Sequence, residues 1–162
     1  MASQLMHESR RVQALGMIGW LLLCFAVAAF GGMFAPGEWY AGLERPAWTP
    51  PDWLFAPVWT LLYVMMAIAA WQVWRLTGFR EGKAPLSAFI VQLLMNGLWS
   101  AIFFGLQAPG LALIWILLLW LAIGVTLFLF SRVSWSASAL LLPYLLWVSF
   151  AAVLNAAFWW LN

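Results

Sequence analysis

The chain has 162 residues, of which 67% are hydrophobic and only 7% are charged, and its formal net charge is +2. Because a soluble domain averages about 45–50% apolar and about 25% charged residues, this composition excludes an ordinary soluble globular protein. It indicates an integral membrane protein that is in contact with lipid, and nothing in it points to a nucleic-acid partner.

The residue types that usually form metal sites and disulfides are scarce. Cys24 is the single cysteine and lies in an apolar run, so a disulfide framework and a Cys-based metal site are excluded. His7 is the single histidine and lies in the polar N-terminal tail, where we expect a solvated side chain. We therefore expect no metal site and no required cofactor.

Five apolar stretches are each long enough to cross a membrane as a helix, which takes about 20 residues. The first follows a positively charged segment, but it is too long for the apolar region of a signal peptide. The sequence therefore predicts an all-α membrane protein, a single bundle of five transmembrane helices over residues 1–162. The predicted spans are Ala14–Phe34, Trp53–Trp74, Leu86–Leu106, Pro109–Phe130 and Ser136–Trp160.

Several residues predict where these helices begin and end. Asp52 is the expected N-cap of the second helix, and Ser134 or Ser136 that of the fifth. Pro109 suits the first turn of the fourth helix, and Gly78 is expected to help end the second. The connection between the third and fourth spans is so short that these two helices must form a tight antiparallel hairpin.

The loop between the first two spans, residues 35–52, is rich in proline and tryptophan. Proline restricts the backbone and so lowers the entropy that is lost when a loop becomes ordered. We therefore expect an ordered lid over a pocket in the membrane. The residues that give the loop this character are Pro36, Trp39, Pro46, Trp48, Pro50 and Pro51.

The positions of the cationic residues predict the orientation in the membrane. Five spans place the termini on opposite sides, and Lys and Arg concentrate in cytoplasmic segments. Six cations lie on the side of the N-terminus, whereas the opposite side has only Arg45. We expect a bacterial cell membrane with a cytoplasmic N-terminus and the first loop on the other side. The six are Arg10, Arg11, Arg75, Arg80, Lys83 and Arg132.

Polar side chains recur on one face of the third span, where Gln92, Asn96, Ser100 and Phe103 follow a helical spacing. Uncharged polar groups are costly in lipid unless they are paired, so this face is expected to point into the bundle. It either forms part of a ligand pocket or simply holds neighbouring helices together. The sequence alone favours neither interpretation.

A second stripe on the same helix consists of Gly97, Ala101 and Gly105. Small residues at this spacing allow close helix approach and commonly mark association faces. They are candidates for a homodimer interface, although the same stripe also suits packing within one chain.

Aromatic residues follow a helical spacing on two further spans. Such stripes usually reflect packing, but a pocket with Trp and Tyr walls and one amide also suits a flat, mostly apolar ligand. The residues are Trp59 and Tyr63 in the second span and Tyr144, Trp147, Ala151 and Asn155 in the fifth.

Ionisable residues are lacking inside the spans, which argues against a proton-coupled pump or an ion channel. The sequence also has no nucleophile–base pair and no glycine-rich phosphate loop, so no catalytic residues are predicted. The acids Glu38, Glu44 and Asp52 lie in or beside the loop, where capping and pairing with Arg45 is favoured over ligand recognition.

Four motifs in this order resemble the tryptophan-rich sensory protein family, TspO/MBR, which includes the mitochondrial translocator protein (peripheral benzodiazepine receptor). The resemblance covers nearly the whole chain. The motifs are W-Y-x-x-L-x-x-P-x-W-x-P-P at Trp39–Pro51, V-W-T-L-L-Y at Val58–Tyr63, Q-x-x-x-N-x-x-W-S-x-x-F-F at Gln92–Phe104 and P-Y-x-x-W-x-x-x-A-x-x-L-N at Pro143–Asn155.

This resemblance implies a five-helix bundle, often dimeric, that binds porphyrins and synthetic isoquinoline or benzodiazepine-type ligands under the first loop. Matched motif by motif, the expected pocket residues are Trp59, Asn96 and Trp147, flanked by Tyr63, Ser100 and Ala151, with Trp39, Pro46 and Trp48 in the lid. No Lys or Arg follows Tyr144, so the sterol motif of animal members is absent and a bacterial member with a tetrapyrrole ligand is favoured.

Three functions fit these observations. The first is a membrane sensor or carrier with a porphyrin as its ligand. The second is a light- and oxygen-dependent degradation of the bound porphyrin, a role proposed within the family. The third is a membrane scaffold that recruits partners through the small-residue stripe of the third span.

Overall fold

The computed structural model describes residues 10–162, so the predicted solvation of His7 lies outside the described residues. Within this range the protein is all-helical, and five long apolar helices form a bundle, as the sequence predicts. The helices are α1 (Arg10–Gly32), α2 (Phe55–Glu81), α3 (Lys83–Ser100), α4 (Pro109–Ser131) and α5 (Trp135–Leu161).

The five helices form a closed ring, in which α1 packs on α2, α2 on α5, α5 on α4, α4 on α3 and α3 back on α1. The helix α3 also contacts α2 across the ring. Small residues allow this close packing, because Ala67, Ala69 and Ala70 of α2 are fully buried. Backbone groups pair within each helix, which is what a membrane interior demands of a spanning segment. The chain is therefore an integral membrane protein.

Helix boundaries agree with some of the sequence signals and correct others. Ser134 caps α5, since its Oγ accepts a hydrogen bond from the Ala137 N–H at 3.3 Å, and Pro109 begins α4. Gly78 interrupts α2 with a φ of 64°, but the chain resumes one more helical turn to Glu81. Asp52 caps no helix: Pro51 precedes a short 3-10 turn, Asp52–Leu54, and the Asp52 carboxylate pairs with Arg45 instead.

The end of the third span differs from a regular α-helix. After Ser100 the chain forms a π-helical turn, Ala101–Gly105, closed by a hydrogen bond of 2.9 Å from the Leu106 N–H to the Ala101 carbonyl oxygen. Gln107 then adopts a positive φ of 53°, which turns the chain sharply into α4. The predicted tight hairpin is therefore present, and its geometry depends on this one left-handed residue.

The first loop is ordered by its own contacts. It contains a one-turn helix, Glu38–Ala41, and Tyr40 of this helix is buried between the rings of Phe103, Phe104 and Phe158. The loop is also held at the C-terminal residue: the Asn162 side chain accepts a hydrogen bond from the Glu44 N–H at 2.9 Å and donates one to the Glu44 carbonyl oxygen at 3.1 Å.

Candidate functional site

A cavity of about 600 Å³ lies inside the bundle beneath the first loop. Residues near the loop ends of α1, α2 and α3 and from the second half of α5 form its walls. The structure brings six of the nine predicted ligand-binding residues together here, namely Trp59, Tyr63, Asn96, Ser100, Trp147 and Ala151.

Aromatic rings form most of the cavity wall and pack against one another. Trp59 lies 5.8 Å from Tyr63 between ring centroids, and Trp147 lies 5.8 Å from Phe55. On the α3 side, Trp99 stacks on Phe103 at 5.1 Å with an angle of 27° between the rings. Because each ring has an aromatic neighbour, the walls are held in place and present flat apolar surfaces.

Beside this wall, three buried polar side chains form a hydrogen-bond network. The Asn96 Nδ2 donates to the Tyr144 hydroxyl at 2.9 Å, and that hydroxyl donates to Gln92 Oε1 at 2.8 Å. Tyr144 comes from α5 and both amides come from α3, so this hydrogen-bond network joins the two helices. Of the three, only Asn96 lines the cavity. The polar face predicted on α3 therefore serves helix packing and the cavity together.

A second polar connection lies nearer the loop. The Trp99 Nε1 donates to Asn155 Oδ1 at 3.1 Å, and the Asn155 Nδ2 donates to the Pro109 carbonyl oxygen at 2.8 Å. Asn155 therefore ties α3 and α5 to the first turn of α4. This contact fixes the Trp99 ring, which forms part of the cavity wall.

The indole nitrogen of Trp147 is different, because it has no hydrogen-bond partner among the described residues although it is buried. A buried N–H without a partner carries a desolvation cost. Trp147 lines the cavity with its ring, but its indole nitrogen has no accessible surface and so does not face the cavity.

Three residues predicted for the lid do not line the cavity. Trp39 lies against Phe103 at 5.9 Å, Trp48 lies against Phe150 at 5.9 Å, and the Pro46 carbonyl oxygen accepts hydrogen bonds from Thr49. The two indole rings thus attach the loop to the bundle and the Pro46 carbonyl oxygen helps to fold the loop, and none of the three residues is part of the cavity lining.

The predicted ligand-binding residues leave out most of the lining residues, and four of those left out are Tyr40, Phe55, Trp99 and Asn155. Two of them carried a usable signal, because Asn155 lies on the same face of α5 as Trp147, and Trp99 belongs to the motif that includes Asn96. Tyr40 had no such signal, since a one-turn helix in a proline-rich loop leaves no periodicity. Burial raises the pKa of the Tyr40 hydroxyl above its usual range, so this group remains neutral.

The small-residue stripe of α3 packs within the chain. A Cβ atom added at Gly97 would lie 2.8 Å from a methyl group of Val27, and one added at Gly105 would lie 2.8 Å from the ring of Phe34. The first helix therefore covers Gly97, which is buried, whereas Gly105 touches Phe34 but stays exposed. Gly97 is corrected from an interface candidate to a residue of an intramolecular contact, while Ala101 and Gly105 remain predicted candidates for an interface.

A larger apolar groove of about 820 Å³ lies at the opposite end of the bundle, between α1 and α3. Its lining includes Leu15, Trp20, Ile90 and Val91, and Lys83 stands at its edge. It contains few polar groups and opens on the side of the bundle, so we assign the candidate site to the smaller cavity, where aromatic walls and polar atoms converge.

Known proteins match this chain over most of its length. The model of the TspO/MBR family matches residues 20–161. The tryptophan-rich protein TspO of Chlorobaculum tepidum is 47% identical over 145 residues, which cover 86% of this chain and 91% of that protein. The translocator protein of Bos taurus is 37% identical over 147 residues, which cover 88% of this chain and 87% of that protein.

Proposed function

The chain belongs to the TspO/MBR family, and from this membership we propose that it is a membrane receptor or carrier that binds a porphyrin-like tetrapyrrole in the cavity beneath its first loop. The same cavity would accept isoquinoline and benzodiazepine-type ligands, which are also flat and largely apolar. The porphyrin is a ligand in this proposal and not a resident cofactor.

The observation that carries the proposal is the convergence of flat aromatic walls and the amide of Asn96 in one cavity. Its volume of about 600 Å³ falls within the range of about 300–1,000 Å³ that is typical of small-molecule sites. Trp59 and Trp147 offer ring faces for stacking. Asn96 adds an amide whose position is already held by Tyr144.

The first experiment is a titration of the purified protein with protoporphyrin in the dark, with the signal of empty detergent micelles subtracted. We expect saturable binding, and a loss of about tenfold in affinity in Trp147→Ala, because stacked aromatic contacts contribute about 1 kcal/mol or more each. Trp135→Ala is the matched control, since Trp135 is 74% exposed at the other end of α5. Unchanged affinity in a folded Trp147→Ala protein would overturn the assignment of this cavity.

A second function, oxidative degradation of the bound porphyrin, is favoured by three indole rings in the same cavity, those of Trp59, Trp99 and Trp147. An excited porphyrin can pass its excitation to molecular oxygen, and oxidised products would then form beside these rings. Illumination of the dark complex separates the two functions. If the protein is a carrier, the porphyrin absorbance under illumination should change only as it does in empty micelles. If it is a degrading enzyme, the loss of porphyrin absorbance should require protein, light and oxygen together.

The membrane location and assembly are also part of the proposal. We place the protein in a bacterial cell membrane, with the N-terminus in the cytoplasm and the first loop on the opposite side, because six of the seven cations lie on the N-terminal side. A homodimer is retained as a proposal, but its interface must use surfaces other than Gly97, which α1 covers.

A further inference from the structure

Arg45 lies at the mouth of the cavity, held by two of the residues that line it. Its Nη1 is 3.2 Å from the carboxylate Oδ1 of Asp52, and its guanidinium carbon is 4.6 Å from the ring centroid of Tyr40. Asp52 and Tyr40 both line the cavity, so the Arg45 guanidinium is in direct contact with this part of the cavity wall.

The cavity wall itself contains no Lys, Arg or His among residues 10–162. The neighbouring spans add none, because the remaining cations of the chain all lie on the other side of the bundle by the topology of the helices. Arg45 is therefore the cation that a negatively charged group on a ligand in this cavity would meet.

The ion pair between Arg45 and Asp52 is weak enough for another carboxylate to replace Asp52. The Asp52 side chain is 70% exposed and that of Arg45 is 34% exposed, and an ion pair this accessible to water adds little net stability. The Tyr40 ring, in contrast, is buried and holds the guanidinium by a cation–π contact that does not depend on Asp52. If Asp52 moves away, Arg45 therefore remains in place at the cavity mouth.

We propose that Arg45 is the carboxylate-binding residue of this site, and that Asp52 occupies the carboxylate position when no ligand is bound. The ligand class is a planar apolar molecule with a carboxylate at its edge: the body fills the aromatic cavity and the carboxylate replaces Asp52 on the guanidinium. Arg binds a carboxylate through two parallel N–H donors. The ligand carboxylate is therefore expected to be more stable on the Arg45 guanidinium than in water. The inference rests on the proposed function, because it assigns the polar end of the ligand in the same cavity.

The test compares protoporphyrin, which has two carboxylates, with its dimethyl ester, which has the same ring and none. Both are titrated in the dark, and the ratio of the two dissociation constants is measured for the wild type, Arg45→Gln and Asp52→Asn. Differences in micelle partitioning affect all proteins equally, so they cancel when the ratios are compared.

We expect Arg45→Gln to reduce the preference for the acid over the ester by about tenfold to a hundredfold, the loss typical of one charge-assisted hydrogen bond. Asp52→Asn removes the competing carboxylate, so the preference should rise. Arg45→Lys keeps the charge without the two parallel donors and should restore part of the preference.

Each other outcome overturns the inference in a distinct way. An unchanged acid-to-ester ratio in Arg45→Gln, with both forms still bound, would show that Arg45 does not bind the carboxylate. Equal weakening of both forms would assign Arg45 a structural role in the loop. No saturable binding of either form by the wild type would overturn the proposed function and, with it, this inference.

Discussion

The hydroxyl of Tyr144 in α5 accepts a hydrogen bond of 2.9 Å from the Asn96 amide in α3, at a depth where both side chains are buried. The same hydroxyl donates to Gln92, one helical turn before Asn96. The cavity thus has an amide in its wall whose position is fixed by a partner that does not itself line the cavity. Helix packing and the placement of a ligand-facing group depend on one tyrosine.

Tyr144→Phe is therefore expected to lower the free energy of unfolding by about 1 kcal/mol, because two buried amides lose their shared partner while the ring volume is kept. The measurement is thermal unfolding of the detergent-solubilised protein. Tyr63→Phe is the matched control: Tyr63 is similarly buried, but its hydroxyl makes no hydrogen bond to the described residues. Equal effects of the two variants would show that the Tyr144 hydrogen bonds add nothing.

A second prediction concerns the packing of Gly97 in α3 against α1 of the same chain. Gly97→Leu is expected to lower the free energy of unfolding by about 1–3 kcal/mol, since the new side chain must displace Val27 of α1. Gly124→Leu in α4 is the control, because no atom lies within 4 Å of a Cβ added there. Thermal unfolding and the oligomer mass are measured on the same samples. A stable Gly97→Leu protein with a reduced oligomer mass would show instead that the stripe forms an interface between two copies of the protein.

The sequence predicted the fold well because long apolar stretches in a membrane have few alternatives to helices. The family resemblance implied six of the residues that line the cavity, and these residues also repeat at helical spacing along their spans. Trp59 with Tyr63 and Trp147 with Ala151 each follow the face of one regular helix, and the structure places both pairs in the cavity wall.

The remaining site residues depend on features without periodicity. Tyr40 reaches the cavity through a one-turn helix, and Phe104 lines it from the π-helical turn. Trp48 was expected to face the ligand but packs on Phe150. Such contacts are determined by how the loop folds back on the bundle, which spacing along the chain does not encode.

A third prediction tests the orientation in the membrane. The single cysteine, Cys24, is fully buried, so the wild type should give little background in thiol labelling. Ala47→Cys places an exposed thiol in the first loop, and Ala84→Cys places one at the start of α3 on the other side of the bundle. In intact bacterial spheroplasts, a membrane-impermeant maleimide should label Ala47→Cys and spare Ala84→Cys. Labelling with the opposite preference would reverse the proposed topology.

The last prediction concerns how the loop is kept over the cavity. The side chain of Asn162 makes hydrogen bonds to both the N–H and the carbonyl oxygen of Glu44, at 2.9 and 3.1 Å, so one residue at the end of α5 holds the middle of the loop. Asn162→Ala removes both bonds and should raise amide hydrogen exchange around Glu44 several-fold, because local opening no longer has to break them.

Asn162→Asp refines the same prediction, because a carboxylate still accepts from the Glu44 N–H but repels its carbonyl oxygen. Its exchange rate should fall between those of the wild type and Asn162→Ala. If the loop covers the ligand, porphyrin dissociation from Asn162→Ala should also be faster, whereas the aromatic walls formed by Trp59 and Trp147 stay unchanged. Equal exchange around Glu44 in all three proteins would mean that Tyr40, buried among its phenylalanine neighbours, holds the loop without help from Asn162.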